Sequence, residues 1–406
     1  MVSITLTTNT WGLQTPIAIS DLELDLPEGA LVIYVTLLDA NRDGTLDVLF
    51  SYGSPFGSPN MNGTALFLSD APNHWVRQPA SAFAGGVPGL AGFALNPAFI
   101  NSDSAADLLF LSSCFPSQGS PGTCALYLGT GSDNPAFKNE SVAGVFDQTK
   151  DWSPMGSECG DFDGDGVVEC FVTDVNNQHY FLVHDTSTSL SLEDVAAQNG
   201  SNVGSNLPGD PSSGQFVGYD PYFVDLTRSG DYGLFVVGAT DGSNHGLPYT
   251  HILAREGGGF RDVTAQLLGD LAAHGSTGMS VGDFDGDGLP DFLTCGNGSD
   301  YPGIPEYEPQ LLINRISGGN SLALRLHGRR SNTDGIGARV TVTGCGKTST
   351  QAMWLRRSTC GFSEPRLFFG LGECTSAEHV VIEWPSGTTQ SLLNVPAGRR
   401  TIDEPS

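Results

Sequence analysis

Short runs of apolar residues, separated by turn-forming residues, dominate the chain. Runs such as Leu31–Val35, Val48–Phe50 and Ala65–Leu68 alternate with segments rich in glycine, proline, asparagine and aspartate. Runs of this length are typical of strands and are too short for most helices. The 53 glycines and 24 prolines indicate many tight turns. We therefore predict an all-β protein, whose 406 residues suffice for one large or two ordinary domains.

One nine-residue acidic motif occurs three times, each time directly before an apolar run. The copies are Asp39–Asp47, Asp161–Glu169 and Asp283–Asp291, with oxygen-bearing side chains at positions 1, 3, 5 and 9 and glycine at position 6. Calcium takes about six to eight oxygen ligands, and a glycine permits the sharp turn of such a loop. An EF-hand would continue into a helix, whereas these loops continue into predicted strands.

The three loops predict structural calcium, held by the side chains at positions 1, 3, 5 and 9 and by the carbonyl at position 7. The alternative, solvated acidic turns without a metal, accounts less well for three copies. The predicted ligands are Asp39, Asn41, Asp43, Thr45 and Asp47 in the first loop, Asp161, Asp163, Asp165, Val167 and Glu169 in the second, and Asp283, Asp285, Asp287, Leu289 and Asp291 in the third.

Two degenerate copies lie between the intact ones. In one, around Asp103, position 1 is Phe99; in the other, Asp225–Gly233, positions 3 and 5 carry hydroxyls. Fewer carboxylates lower cation affinity, so metal binding near Asp103 and Asp225 stays open. The five first positions, 39, 99, 161, 225 and 283, are 58 to 64 residues apart. A period of this length with several short strands per unit indicates a propeller or a related array.

These loops resemble the FG-GAP or VCBS repeats of integrin-type β-propellers, and the resemblance covers residues 1–315. It implies radial blades of four strands with calcium loops beside them. Five repeats are visible, fewer than the seven common in that family, so the number of blades stays open. The segment through Pro27 is a candidate for a closing strand or part of a further blade.

The composition changes after Arg315. Residues 320–342, Phe369–Gly372 and Val381–Gly387 follow one another as in the ASPIC/UnbV domain, which this stretch resembles. Repeats followed by that domain are the architecture of cartilage-acidic-protein-like secreted proteins. We therefore predict a calcium-binding propeller over 1–315 and a small β-rich module over 316–406, with the module packed on the propeller. Trp384 is expected in the core of the module.

Cysteines and glycosylation sequons predict a secreted protein or one in the lumen of the secretory pathway. The eight cysteines show no C-x-x-C spacing and suit disulfides, with Cys114–Cys124 and Cys159–Cys170 as plausible local pairs. The start at Met1–Leu6 lacks an apolar signal core, so we expect a processed signal peptide. No apolar run approaches the length of a membrane span. Sequons begin at Asn62, Asn139, Asn199 and Asn297.

The charge of the chain argues against two classes of partner. There are 45 acidic and 18 basic residues, for a formal net charge of −27. Nucleic acid and anionic membrane surfaces require a basic footprint, so neither is an expected partner. Much of the negative charge lies in the acidic loops, where bound cations would neutralise part of it.

The sequence contains no convincing catalytic constellation. Gly278–Gly282 matches the G-x-S-x-G pattern, but Ser280 leads into the third acidic loop and not into the helix that a nucleophile elbow requires. No P-loop, H-E-x-x-H motif or Rossmann glycine pattern occurs. Catalytic residues, oligomeric state and the choice between enzyme and binding protein therefore stay open.

Two functions fit these observations. The first is the binding of a glycan or small organic ligand in a loop-lined pocket. The second, implied by a similarity to secreted fungal propellers, is a cofactor-independent cyclase or pericyclase of natural-product biosynthesis, of the hetero-Diels–Alder type. Such an enzyme would act by positioning and hydrogen bonding, without a covalent intermediate. Candidate pocket residues are the loop aromatics Trp75, Trp152, Tyr219, Tyr222, Tyr249, Tyr301 and Tyr307.

Overall fold

Strands make up most of the residues that the structure describes. The structure, a computed structural model, describes residues 31–53, 63–71, 74–85, 92–101, 103–112, 125–140, 154–174, 178–185, 190–202, 216–240, 250–296, 308–355 and 361–406. Within these residues the helices are short: Ala196–Asn199 (α1), Thr264–Leu267 (α2) and the 3₁₀ helices Ala80–Ala82 and Gly269–Ala273. The prediction of an all-β fold is confirmed.

Five sheets follow one another along the chain, and each holds one of the five acidic or degenerate loops between two antiparallel strands. Sheet order is sequential except in the second, which runs β5-β9-β8-β7-β6. The strands are Leu31–Leu38 (β1), Asp47–Gly53 (β2), Gly63–Ala71 (β3) and His74–Arg77 (β4); Phe83–Ala84 (β5), Gly92–Ala98 (β6), Asp107–Ser112 (β7), Ala125–Gly129 (β8) and Phe137–Glu140 (β9); Pro154–Gly160 (β10), Val168–Asp174 (β11), Gln178–Asp185 (β12) and Leu190–Asp194 (β13); Phe216–Val224 (β14), Gly233–Thr240 (β15), Thr250–Glu256 (β16) and Gly259–Asp262 (β17); Ser276–Gly282 (β18), Asp291–Gly296 (β19) and Gln310–Leu312 (β20).

The strands that precede the loops lie side by side, so that successive sheets are joined through β1, β6, β10, β14 and β18. Tyr34 donates its hydroxyl hydrogen to Asn96 Oδ1 at 2.5 Å, and Asn96 Nδ2 donates to Ser157 Oγ at 2.6 Å. Two backbone amides continue the series, from Phe223 to Glu158 and from Met279 to Asp220. All of these residues precede their own loops by two to five positions. The five loops therefore lie at the same end of the five sheets.

The strands that follow the first four loops are buried on both faces, whereas β19 exposes Leu293. Every residue of β11 from Glu169 to Asp174 is buried, and Leu49, Phe50 and Phe171 are fully inaccessible. Face-to-face packing of sheets explains why these segments are continuous apolar runs, where a half-exposed strand would show alternation.

The C-terminal module is a separate pair of packed sheets. Its strands are Asn320–His327 (β21), Arg339–Gly344 (β22), Lys347–Ala352 (β23), Leu367–Gly372 (β24), Ser376–Glu383 (β25), Thr389–Pro396 (β26) and Gly398–Asp403 (β27). They form the sheets β24-β21-β27 and β23-β22-β25-β26. Leu322, Leu324 and Leu326 alternate into one shared core, and Val340 and Val342 enter it from the other sheet. Trp384 also lies in this core, as predicted.

Two disulfides are formed among the described cysteines. Cys159–Cys170, a predicted pair, joins β10 to β11, and Cys345–Cys374 lies within the module. Cys295 forms no disulfide. The other predicted pair, Cys114–Cys124, lies outside the described residues, as do Cys360, the segment through Pro27 and the sequons at Asn62 and Asn297. No helix in the described part of the chain has the length and apolarity needed to cross a membrane.

A buried carboxylate, Glu404, closes the module. Its Oε2 accepts the backbone N–H groups of Arg329, Arg330 and Ser331, and its Oε1 accepts the hydroxyls of Ser331 and Ser386. Burial by itself would raise the pKa of Glu404. The hydrogen bonds from Ser331, Ser386 and the two arginine amides outweigh burial and lower the pKa of Glu404 to about 2.

We expect Glu404→Gln to destabilise the module by about 2–3 kcal/mol near neutral pH, because the amide cannot replace a carboxylate that accepts five hydrogen bonds. Because the pKa of Glu404 is lower in the folded state, its ionised carboxylate stabilises the module at pH values above the ordinary pKa of 4.5. This stabilisation is lost as the pH falls towards about 2. The difference in melting temperature between wild type and Glu404→Gln should therefore shrink between about pH 6 and about pH 3. Glu378→Gln, on an exposed position of β25, is the control, and a constant difference across this range would contradict the assignment.

Candidate metal centres and an adjoining cavity

The glycine at position 6 takes the conformation that the motif predicts. Gly44, Gly166 and Gly288 each have φ of 87°, in the left-handed region that disfavours other residues. This turn brings the backbone of each loop back over the position-1 carboxylate. In the second loop Asp161 Oδ1 accepts the Gly164 amide at 2.8 Å and Oδ2 accepts the Gly166 amide at 3.3 Å.

The second and third loops gather carboxylates into compact groups. Each member of the two groups offers one ligand atom, and within a group these atoms lie within 4.8 Å of one another. In the part of the chain that the structure describes, these are the two groups of three or more such side chains that could hold a metal. They are Asp161, Asp163, Asp165 and Glu169 in the second loop, and Asp283, Asp285 and Asp287 in the third.

One carboxylate oxygen of Asp283 is in a position that favours cation binding. Its side chain is 0% exposed, and its Oδ1 has no hydrogen-bond partner among the described residues. A buried, unpaired carboxylate oxygen costs free energy unless a donor or a cation meets it. Oxygen donors at this spacing suit a hard divalent cation such as calcium. The residues of the second and third loops therefore fit the predicted ion, whereas the position-7 carbonyls of Val167 and Leu289 stay predicted ligands.

The first loop has the same backbone shape, but its polar side chains bond to one another. Asp39 accepts the amides of Asp43 and Gly44 at 3.0 and 2.9 Å. Asn41 Nδ2 donates to Asp43 Oδ2 at 2.9 Å, and Thr45 Oγ1 donates to Asp43 Oδ1 at 2.5 Å. An asparagine at position 3 brings a donor where the other loops have an acceptor. This difference explains why the first loop shows no compact carboxylate group here.

The acid at position 9 has a structural role in every copy that has one. Asp47 accepts the amides of Ala40 and Ser69, and Asp291 accepts those of Phe284 and Asn314, all between 2.8 and 2.9 Å. Glu169 accepts the Phe162 amide at 2.9 Å. Each carboxylate thus ties position 2 of its loop to the strand in which the carboxylate lies. This role was not predicted, although the repeated spacing of seven residues between amide and acid was visible in the sequence.

Burial shifts the acid–base properties of these carboxylates. It raises the pKa of Glu169 to about 9 and that of Asp47 to about 7, against opposing hydrogen bonds from backbone amides. Burial also raises the pKa of Asp107, in a degenerate loop, to about 7. The raised pKa is therefore a property of the buried carboxylate at position 9, and it does not by itself indicate a metal site. A bound cation would favour the ionised forms.

Residues of the C-terminal module lie against the two degenerate loops. Phe99, at position 1 of its loop, packs against Trp354 with ring centroids 5.5 Å apart and lies under the guanidinium of Arg339. In the loop at 225–233, Lys347 Nζ lies 2.6 Å from Asp231 Oδ2. Side chains of the C-terminal module thus contact both loops.

The module also contacts the three intact loops, because it packs against the end of the sheets at which the loops lie. The Thr350 amide donates to the Asp161 carbonyl at 2.8 Å, and Glu364 Oε2 accepts the Asp283 amide at 3.0 Å. A Cβ on Gly44 would lie 2.8 Å from the Arg330 carbonyl oxygen. Packing of the module on the repeats was expected, but the residue pairs that make this contact were not predictable, since the partners are more than 80 residues apart.

A cavity of about 590 Å³ lies between the second loop and the module. Apolar side chains line part of it, including Val168, Val183 and Val381. The module adds polar groups. Thr341 and Thr350 share a hydrogen bond between their hydroxyls at 2.9 Å, and Arg339 Nε donates to Glu383. The lining is complete with Phe99, Ile100, Asn101, Cys159, Gly160, Asp161, Gly166, Val167, Gln351 and Ala352.

The aromatic residues predicted to line a pocket do not lie in this cavity where they are described. Trp75 donates its indole N–H to the Leu46 carbonyl at 3.0 Å, and Tyr222 is buried against Phe292. Tyr219 is half-buried on β14. Ser280 lies within β18, where its Oγ accepts the Phe362 amide. The remaining candidates, Trp152, Tyr249, Tyr301 and Tyr307, lie outside the described residues.

Comparison with solved structures finds β-rich proteins of low similarity. A lectin from Agrocybe aegerita that recognises non-reducing terminal N-acetylglucosamine is 13% identical, with a TM-score of 0.39, over 91% of this chain and 81% of that chain. A rhamnogalacturonan lyase of Bacillus licheniformis is 11% identical, with a TM-score of 0.38, over 91% and 72%. An exo-β-1,3-galactanase from Phanerochaete chrysosporium is 10% identical, with a TM-score of 0.33, over 91% and 95%. TM-scores this low carry no conclusion about what this chain binds.

Comparison of the sequence with known proteins identifies the C-terminal region. No curated protein matches the chain. The family model described as ASPIC and UnbV matches residues 328–405. This range spans β22 to β27 and includes the residues that contact the acidic loops. The resemblance of the repeats to FG-GAP units stays a prediction, whereas the predicted ASPIC/UnbV domain at the C-terminal end of the chain is confirmed.

Proposed function

We propose that this protein is a secreted, calcium-stabilised β-propeller of FG-GAP-type repeats that binds a glycan or small organic ligand between its repeats and its C-terminal module. The observation that carries the proposal is the second loop. There, four carboxylates come within 4.8 Å of one another beside a cavity of ligand size. The loop thus supplies the hard oxygen donors that calcium takes.

The propeller is supported by the side-by-side arrangement of the five sheets. Each sheet carries its loop at the same position, and the polar links between β1, β6, β10, β14 and β18 repeat from sheet to sheet. A radial array gives each sheet two neighbours and shields its edges. In this proposal calcium fixes the loops at one end of the array, on which the module rests.

The ligand is proposed to lie in the 590 Å³ cavity. Ligand sites prefer boundaries between domains and combine apolar walls with a few polar groups that fix orientation. The paired hydroxyls of Thr341 and Thr350 and the Arg339–Glu383 pair offer donors and acceptors that match sugar hydroxyls. Phe99 adds an aromatic surface. These polar side chains favour a glycan over the apolar substrate expected of a cyclase or pericyclase.

We expect Thr341→Val to weaken glycan binding by about tenfold, because it removes a hydroxyl that would otherwise donate or accept in the cavity. Glycan-array screening in calcium would identify the ligand, and calorimetry would measure the affinity of wild type and variant. Thr343→Val is the matched control. Thr343 lies two residues further along β22, pairs with Thr348 at 3.0 Å in the same way, and does not line the cavity.

Two results would count against this function. Equal losses of glycan affinity in Thr341→Val and Thr343→Val would show that the ligand does not bind in the cavity. Absence of any bound glycan, together with new products when natural-product precursors are incubated with the protein, would favour the enzyme.

A further inference from the structure

Charge is distributed unevenly between the two parts of the chain. Residues 316–406 contain 10 of the 18 basic residues but 7 of the 45 acidic ones, so their net charge is +3. Residues 1–315 contain the other 8 basic and 38 acidic residues, and their net charge is −30. The module therefore brings positive charge to the face that holds the acidic loops. Such complementarity favours docking and fixes its orientation.

One of these positive charges reaches the third loop. Arg399, in β27, places its Nε 3.3 Å from Asp283 Oδ2, and its Nη1 donates to the Gly286 carbonyl at 3.2 Å. Asp283 Oδ2 also accepts the Gly288 amide at 3.1 Å. Asp283 Oδ1, in contrast, is buried without a partner. Arg399 thus neutralises one oxygen of a carboxylate whose other oxygen is buried without a partner among the described residues.

In the neighbouring loop at 225–233, a cationic side chain of the module also pairs with an acidic residue of the loop. This loop has hydroxyls in place of two carboxylates, and Lys347 of the module forms an ion pair with its Asp231. The module therefore supplies a cationic side chain to two loops in succession. In the third loop, which keeps its carboxylates, the cationic side chain and a metal ion would meet at the same aspartate.

We propose that Arg399 is a counter-ion of the third acidic loop, and that the docked module thereby lowers the calcium affinity of this loop. The inference rests on the proposed calcium binding and adds a regulatory link to it. A guanidinium beside Asp283 repels a cation bound to the same carboxylate. Solvent screens this interaction in part, because the Arg399 side chain is 46% exposed while that of Asp283 is 0% exposed. Coupling of this kind is reciprocal, so calcium in the third loop weakens the hold of the module at Arg399.

The test is calcium titration of the full-length chain by calorimetry at low salt, with Arg399→Gln and Arg400→Gln compared. Both variants remove one positive charge from β27. Arg400 donates instead to the carbonyls of Arg399 and Ala397, within its own module. We expect Arg399→Gln to bind calcium about five- to tenfold more tightly at one site, and Arg400→Gln to stay within about twofold of wild type.

A second pair of measurements assigns the effect to the third loop. In an Asp287→Ala background, which removes a predicted ligand side chain of that loop, Arg399→Gln should no longer change calcium affinity. Arg399→Met keeps an unbranched stem over Gly288 and should tighten binding in the same way, so the test survives if the glutamine variant folds poorly. The melting temperature in EDTA reports folding in each case.

The outcomes separate this inference from the proposed function. Calcium binding by wild type with no gain in Arg399→Gln, or with an equal gain in Arg400→Gln, would overturn the role of Arg399 alone. A persistent gain in the Asp287→Ala background would also overturn it. Wild-type protein that binds no calcium would overturn both proposals.

Discussion

Excess EDTA should lower the melting temperature of this protein by on the order of 10 °C relative to millimolar calcium. A ligand that binds the native state at about 100 times its dissociation constant stabilises it by about 2.7 kcal/mol. The two compact groups, at Asp161–Glu169 and Asp283–Asp287, would then contribute about 5 kcal/mol together. The carboxylates that lose the ion are partly buried, so the metal-free loops retain their mutual repulsion and desolvation cost.

An isosteric substitution separates loss of the metal from damage to the loop. Asp165→Asn keeps the oxygen that accepts the Val167 amide at 2.7 Å and removes one charge from the second loop. We expect it to remove part of the stabilisation by calcium, while its melting temperature in EDTA stays close to that of wild type. Asp270→Asn, at an exposed acid outside the loops, should respond to calcium as wild type does. An unchanged melt in EDTA, with no calcium found by elemental analysis, would contradict the metal assignment.

The features predicted from the sequence are those with a local signature. A strand such as Val48–Phe50, a glycine such as Gly166 and a disulfide across eleven residues, Cys159–Cys170, depend on neighbours in the chain. The alternation of Leu322, Leu324 and Leu326 is a signal of the same kind. Local sequence sets backbone conformation and the buried face, and these elements were therefore predictable.

The features that were missed depend on residues far apart in the sequence. The cavity needs Val168 of the repeats and Val381 of the module, and the docking contact between Asp161 and Thr350 joins residues 189 positions apart. Arg399 lies next to Arg400 in β27, yet one guanidinium contacts the third loop and the other remains within the module. No pattern in a single sequence distinguishes such pairs, because the distinction is made by the packing of the module on the loops.

Position 2 of the acidic loops gives the sharpest example of this limit. The second and third loops share the letters Asp-Phe-Asp-Gly-Asp-Gly, so Phe162 and Phe284 are equivalent in sequence. Phe162 is 1% exposed and stacks on Phe223 with ring centroids 4.0 Å apart, whereas Phe284 is 50% exposed. The difference arises from the neighbouring sheet: β14 brings Phe223 to the second loop.

We expect Phe162→Ala to destabilise the protein by about 3–5 kcal/mol, and Phe284→Ala to change its stability by less than about 0.5 kcal/mol. Phe162→Ala leaves a cavity between Phe223 and Tyr232; the ring centroid of Tyr232 lies 5.5 Å from that of Phe162. Phe284→Ala removes a ring that is already half exposed to solvent. Denaturant unfolding in EDTA measures both effects without the contribution of calcium, and the loss in Phe162→Ala should persist there because it comes from packing. Equal losses in the two variants would show that the phenylalanine serves the loop motif itself, in which case the contact with the neighbouring sheet would not be the source of its stabilising effect.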